Sequence, residues 1–213
     1  MIDGARPSEM PGFIKPQLAS LRSKAPAGDK WLHEIKYDGY RIQIHLNGGR
    51  RKVYTRNGLD WTKRFSVIAG ALDLPGQAII DGEVVVIQDG RTNFSELQAE
   101  LAKGDQDRLA FYAFDLLYLN GLDLRRSPQI QRKRVLKELL DGLEGPSLYS
   151  DHLVGDGQQL DTIVSPKSKL TKPIRAPKAT WVEPAFTVEV EYRDITAEGL
   201  LRAASFKGLS KRA

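Results

Sequence analysis

The 213-residue chain has no cysteine and only three histidines, His33, His45 and His152. The first absence excludes a disulfide framework, a thiolate metal site and a cysteine nucleophile, and the second argues against a metal site built from imidazole. Long apolar runs are missing as well: no window approaches the roughly 18 apolar residues needed to span a bilayer. Residues 1–12 show no basic stretch followed by an apolar one, so no secretory leader is read there. The expectation is a cytoplasmic protein with no membrane partner. Aromatic residues make up 8% and charged residues 28%, a globular balance, and 32 Lys+Arg against 27 Asp+Glu leave a net charge of +5. The length suits one domain with an appendage, or two small domains.

The positive charge is unevenly spread. Between Asp123 and Glu138 stand Arg125, Arg126, Arg132, Lys133, Arg134 and Lys137 with no acid among them. Between Asp161 and Glu183 stand Lys167, Lys169, Lys172, Arg175 and Lys178, again with no acid. Such blocks are the electrostatic footprint expected of a nucleic-acid partner, and equally of a solvated helix face or a basic linker.

Trp31 to Leu46 alternates apolar and polar residues on both sides of Asp38-Gly39. Asp-Gly between alternating runs predicts a two-residue hairpin, because a type I′ turn needs positive φ at both central positions. One face would then carry Trp31, His33, Ile35, Tyr37, Tyr40, Ile42, Ile44 and Leu46 as core. The other would carry Leu32, Glu34, Lys36, Arg41, Gln43 and His45 as a candidate site, with Lys36 directly across from Arg41. Cross-strand neighbours sit about 4.5 to 5.5 Å apart. An opposed cation and partial desolvation both favour an uncharged amine, and an uncharged lysine is a nucleophile; an exposed hairpin with a solvated Lys/Arg edge is the structural alternative.

Further along, Asn47-Gly48-Gly49 predicts a turn, Lys52 to Arg56 a short strand and Asn57-Gly58 another turn. Asp60 is the expected N-cap of a helix that buries Phe65, Ile68 and Leu72. Ala78 to Ile87 reads as a buried strand interrupted at Asp81-Gly82-Glu83, and Asn93 to Ala102 as a short helix. Leu109 to Leu119, bounded by Asn120-Gly121, reads as a central strand. Ser127-Pro128 predicts an N-cap with proline at the first helical position, and Leu148 to Leu153 one more strand. Pro166, Pro173 and Pro177 mark a linker, after which Thr180 to Tyr192 alternates like a strand and Leu200 to Leu209 forms another.

The string Glu34-Ile35-Lys36-Tyr37-Asp38-Gly39-Tyr40-Arg41 resembles the E-x-K-x-D-G-x-R signature of covalent nucleotidyltransferases, the superfamily of ATP-dependent DNA ligases, RNA ligases and capping enzymes. Tyr54-Thr55-Arg56-Asn57-Gly58, Asp81-Gly82-Glu83 and Phe111 to Asn120 resemble the later signals in family order. Within the superfamily the resemblance is to the ligase module of bacterial ligase D, the ATP-dependent DNA ligase of non-homologous end joining. It covers Pro11 to Asp156, including Arg56-Asn57-Gly58-Leu59-Asp60-Trp61-Thr62, and resumes from Thr180 to Leu209. An RNA ligase or capping enzyme fits less well, because the Arg56 to Asp60 and Phe206 to Leu209 strings are similar to DNA ligases.

The resemblance implies an α+β fold. Residues 1–157 would form a nucleotidyltransferase (ATP-grasp-like adenylation) domain of antiparallel sheets with flanking helices. Residues 158–179 would be a basic proline-containing linker, and residues 180–213 a short β remnant of an OB-fold. The resemblance further implies that Lys36 attacks the α-phosphorus of ATP and becomes lysyl-AMP, with Mg²⁺ or Mn²⁺ accompanying the nucleotide. Glu34 would lie at the adenine, Arg41 and Arg56 at the ribose or phosphate side and the DNA end, Glu83 at the ribose hydroxyls, and Phe114 stacked on the base. Asp115 is expected to be structural. The implied partners are DNA with nicks or broken ends, together with end-joining proteins, in DNA repair and recombination.

One departure stands out. Between Asp156 and Trp181 the family's E-G-x-V-x-K and K-x-K motifs have no counterpart. Glu198-Gly199-Leu200-Leu201-Arg202 and Lys167-Ser168-Lys169 match them only superficially, so the chain resembles an internally shortened ligase module. Losing one preorganised donor at a reacting centre typically costs about 2.7 to 4 kcal/mol. Two functions therefore stand side by side: a ligase impaired by the missing motifs, and a non-catalytic nucleotide- or DNA-binding remnant, alone or completed by a partner chain.

Overall fold

A computed structural model describes residues 2–18, 20, 28, 30–88 and 91–154, and beyond them the strand segments 164–165, 181–182, 186–191, 194–195, 201–202 and 205–211. The chain divides into two units, Met1–Leu18 with Ile35–Ser150, and Ala19–Glu34 with Asp151–Ala213. Through residue 154 the elements are β1 (Arg6–Pro7), β2 (Leu32–Glu34), β3 (Tyr40–Asn47), β4 (Arg50–Thr55), α1 (Ser66–Ala71), β5 (Gln77–Gln88), β6 (Arg91–Thr92), α2 (Phe94–Lys103), β7 (Leu109–Leu119), β8 (Leu122–Asp123), α3 (Gln129–Leu140), β9 (Ser147–Tyr149) and β10 (His152–Val154).

The first unit is built on a sheet in the order β1-β8-β7-β5-β3-β4, with β6 added to β5 and β9 to β7. Every pairing is antiparallel except that of β9 with β7. Residues two apart share a face of a strand, so Ile42, Ile44 and Leu46 of β3, Ile80, Val84 and Val86 of β5, and Phe111 and Ala113 of β7 join one core. Ile68 and Leu72 from the first helical segment, Leu97 and Leu101 of α2, and Leu136 and Leu140 of α3 complete it. Opposite it, Ile79, Leu117 and Tyr118 pack with Met10 and Ile14. The antiparallel sheet with flanking helices meets the fold expectation.

Two hairpins close through positive-φ pairs. Gly48 and Gly49 (φ 55° and 84°) join β3 to β4, and Asn120 and Gly121 (φ 43° and 85°) join β7 to β8. α2 is capped at both ends: the Asn93 side chain accepts the Glu96 N–H at 3.1 Å, and Gly104 ends the helix with φ 84°.

The hairpin expected at Asp38-Gly39 does not form. β2 pairs with β10, Glu34 opposite His152, while β3 pairs with β4 and β5. Neither Asp38 nor Gly39 has a positive φ. What Gly39 supplies is absence of bulk, since a Cβ there would collide with the Val84 carbonyl of β5. Arg41 consequently stands opposite Glu83, not Lys36, and the cross-strand argument for an uncharged Lys36 goes with the hairpin. Trp31 and Ile35, expected in the core, are 49% and 61% exposed.

Other local expectations shift. Asp60 does not cap a helix: its carboxylate accepts the Thr62 N–H and the Lys52 ammonium, and α1 begins after Phe65 without a side-chain cap. Phe65, Ile68 and Leu72 are nonetheless fully buried. α3 starts one residue later than expected, leaving Pro128 at the cap position and the buried Ser127 hydroxyl without a hydrogen-bond partner among the described residues. Leu148 to Leu153 splits into β9 and β10.

In the second unit β2 pairs with β10. β11 (Val164–Ser165) pairs with β12 (Trp181–Val182), and β13 (Phe186–Glu191) with β16 (Ser205–Lys211). β14 (Asp194–Ile195) pairs with β15 (Leu201–Arg202). The second basic block, Lys167-Ser168-Lys169 and Glu198-Gly199 lie outside the described residues. Among the described residues no helix is long and apolar enough to cross a membrane.

Candidate active site

Strand alternation decides which side chains face away from the helices. On β3 these are Arg41, Gln43 and His45, and on β5 Asp81 and Glu83, aligned as Arg41 opposite Glu83 and Gln43 opposite Asp81. On β7 Tyr112 stands opposite Glu83 and Asp115 opposite Asp81. Phe114 has no partner across the ladder, because the register between β5 and β7 shifts between Asp81 and Gly82. The expected interruption at Asp81-Gly82-Glu83 is thus a β-bulge in β7, and β5 runs through unbroken. Gly82 makes the crossing possible, since a Cβ there would strike the Phe111 ring.

Arg41 is the hub. Its Nε and Nη2 donate to the two oxygens of Asp81 at 3.1 and 2.8 Å, and its Nη1 donates to the Gln17 carbonyl at 3.0 Å. The guanidinium lies 5.2 Å from the Phe114 ring centroid. Of its five N–H donors these bonds use three, on Nε, Nη1 and Nη2. Burial, together with the neighbouring Asp115, pushes the Asp81 carboxyl up against the pull of Arg41. Beside them Gln43 exchanges two hydrogen bonds of 3.0 Å with the backbone of Ile14, and His45 Nε2 lies 2.8 Å from Gln43 Oε1. Burial lowers the His45 imidazole to about 4, so it is neutral in the neutral range.

Lys36 lies on the exposed loop before β3. Three contacts tie that loop to the sheet. The Glu83 carboxylate accepts the Gly39 N–H, the Asp38 N–H donates to Thr92 Oγ1 at 3.3 Å, and the Tyr37 ring stacks on Tyr112 at 4.2 Å, 18° from parallel. Glu83 feels the Lys36 charge, and burial raises its carboxyl to about 7 against Arg41, the Gly39 N–H and Lys36. Lys36, Arg41, Glu83 and Phe114 are therefore gathered on one polar face. Arg56 has an exposed side chain, and its backbone N–H donates to the Arg41 carbonyl at 3.1 Å. Glu34 belongs to the second unit, on β2.

Sequence reasoning missed Tyr37, Tyr112, Thr92 and Gln17, whose contacts arise between distant segments. Several cations of the first basic block have partners within the fold. Arg125 binds Asp123, and Arg132 binds Asp115 through Nε and Nη2 at 2.7 and 2.9 Å. Lys133 is fully buried, Lys137 lies 5.4 Å from the Tyr149 ring, and Arg134 is 3.9 Å from Glu138. Arg132 and Lys133 serve the fold, while Arg125 and Arg134 keep exposed side chains. Among the described residues no group of three or more His, Asp or Glu side chains is placed to hold a metal ion.

The family model for the ATP dependent DNA ligase domain matches residues 16–165, and that for the ATP dependent DNA ligase C terminal region matches residues 151–212. The multifunctional non-homologous end joining protein LigD of Pseudomonas aeruginosa is 38% identical over 155 residues, which cover 71% of this chain and 18% of that protein. A probable DNA ligase of Opitutus terrae is 40% identical over 154 residues, covering 66% of this chain and 15% of that protein. The chain thus spans under a fifth of the length of these relatives. In three dimensions it resembles the ligase domain of Mycobacterium tuberculosis LigD with a TM-score of 0.51 at 21% identity, over 84% of this chain and 88% of that one. That likeness concerns the fold. The signatures in family order along the chain and the family match over most of its length agree: the chain belongs to the ATP-dependent DNA ligases.

Proposed function

We propose that this chain is the nucleotide-transferring part of a DNA ligase of the ligase D type, and that Lys36 is its nucleophile. The observation that carries the reading is the lysine loop itself, held on the polar sheet face by Glu83 through the Gly39 N–H beside the Arg41–Phe114 pair. The Lys36 Nζ attacks the α-phosphorus of ATP. An N–P bond forms, the bond from the α-phosphorus to the oxygen bridging the β-phosphate breaks, pyrophosphate leaves, and the amine proton passes to solvent. AMP then moves to a 5′-phosphate, and a 3′-hydroxyl displaces it to seal the strand. Mg²⁺ or Mn²⁺ enters with the phosphates of ATP as part of the substrate, since divalent magnesium is commonly held by phosphates and few side chains.

In this reading Glu83 accepts from the ribose hydroxyls, the two remaining Arg41 N–H groups and Arg56 contact phosphate, Phe114 meets the purine and Glu34 lies at the adenine. The domain division that goes with it is an adenylation body over residues 1–157, a basic link over residues 158–179 and an OB-fold remnant over residues 180–213. Nicked or broken DNA and end-joining proteins are the partners.

One observation favours a second reading, a binding remnant without catalysis: the E-G-x-V-x-K and K-x-K motifs have no counterpart between Asp156 and Trp181. Incubation with Mg²⁺ and ATP labelled at the α-phosphate separates the two. The first expects a covalent adduct that survives denaturation and is absent from Lys36→Ala. No adduct, with salt-sensitive binding to nicked duplex retained, establishes the second.

A further inference from the structure

We propose that Arg132, together with Lys133, is a positioning residue of the polar face, acting through the β-bulge at Phe114; the nucleotide half of this inference rests on the function proposed above. A bulge re-aims the side chains around it and leaves its extra residue outside the ladder, so something else must hold that residue. Here α3 supplies two consecutive cations. The Lys133 Nζ donates to the Phe114 carbonyl at 3.3 Å and to the Ser150 carbonyl at 2.9 Å, and lies 4.9 Å from the Tyr149 ring centroid. Its side chain is wholly buried. Arg132 grips the next residue, Asp115, with both prongs of its fork and donates its Nη1 to the Ser127 carbonyl.

The clamp reaches the site by charge as well as by shape. Asp115 stands opposite Asp81 across the ladder, and Asp81 holds Arg41, which covers Phe114. The row reads Arg132, Asp115, Asp81, Arg41: two adjacent carboxylates with a guanidinium at each end. Without Arg132, Asp115 would compete for the field of Arg41, whose charge it already feels, and the bulge would keep only the Lys133 bond to its carbonyl. Arg41 and Phe114 would then leave their shared position, Phe114 being tied to α3 through its carbonyl and Arg41 through the Asp81–Asp115 row. Bidentate geometry aimed at the residue beside a bulge fits a part that must not drift.

The test uses the full chain with 4-fluorophenylalanine at position 114. In the free protein, Arg132→Met is expected to shift the fluorine resonance, because the ring loses its guanidinium neighbour. Arg132→Lys, which keeps the charge and loses the fork, is expected to shift it less, and serves where the methionine variant fails to fold. ATP affinity, measured by titration on samples shown to be folded by circular dichroism, is expected to weaken about tenfold in Arg132→Met. An unchanged resonance in the folded variants overturns the inference, as does a loss of ATP affinity that merely follows the folded fraction. Failure of the unsubstituted chain to bind ATP overturns the nucleotide reading instead, while the ligand-free resonance still decides the clamp.

Discussion

On the helix side of the central sheet, Ile42, Ile44, Ile80, Val84, Phe111 and Ala113 are at most 1% exposed and belong to one apolar core. On the other side of the same three strands stand Arg41, Gln43, Asp81, Glu83 and Phe114, each held by a named polar or cation–ring contact. One backbone register serves both, so the two sides are coupled in geometry and separate in energy. The apolar side depends on volume and accepts any ring or branched chain that fills it. The polar side depends on partners, and each removal leaves a charge or a donor unmatched.

The sharpest way to separate the two sides is Lys36→Ala. It should reduce the denaturation-resistant AMP adduct to background, while chemical denaturation shows stability within about 0.5 kcal/mol of the parent, since the residue is exposed. Phe111→Ala should do the converse, lowering unfolding free energy by about 3 to 5 kcal/mol by denaturant titration; equal stability would mean that the core has other supports. Gly39→Ala crosses the two sides. Its Cβ meets the Val84 carbonyl, so the lysine loop must lift, and adduct formation should fall about 10²-fold, as expected for a displacement near 1 Å, with little loss of fold. A normal rate would show that the strap does not place Lys36.

The smallest effects are in pH. Glu83 is raised to about 7 in the fold by burial, so its contribution to stability is full below its ordinary 4.5 and is lost as pH rises through about 7. His45, lowered to about 4 by burial, contributes above its ordinary 6.5 and loses that contribution as pH falls through about 4. Glu83→Gln should therefore flatten the decline of stability between about pH 4.5 and 7, and His45→Gln the decline as pH falls from about 6.5 to 4. Denaturation profiles identical to the parent would contradict the burial of these groups.

Much of this was legible in order along the chain. Leu109 to Leu119, aromatic, apolar and bounded by Asn120-Gly121, reads as the central strand that it forms, and Asn93 to Ala102 as the short helix that α2 is. Lys36, Arg41, Glu83 and Phe114 were found through the family strings that contain them, and the fold brings them to one face. Arg132 and Lys133 were visible only as charge. Nothing local distinguishes a cation that meets solvent from one that meets Asp115 or a bulge carbonyl across the fold.

The contrast is plainest at two glycine dipeptides. Asn120-Gly121 turns the chain between strands that pair with each other, a local event settled by two backbone angles and therefore written in adjacent residues. Asp38-Gly39 carries the same turn chemistry, yet the strands on either side find other partners, β10 for one and β4 and β5 for the other. Alternation tells which side chains share a face, because the strand repeats every two residues. It does not tell which strand lies alongside, because that depends on the summed burial and hydrogen bonding of segments far apart in the chain. Residue types, local turns and the family signatures belong to the sequence. The lysine strap, the Arg41–Asp81 pair and the bulge under Phe114 came into being only when the strands chose their neighbours.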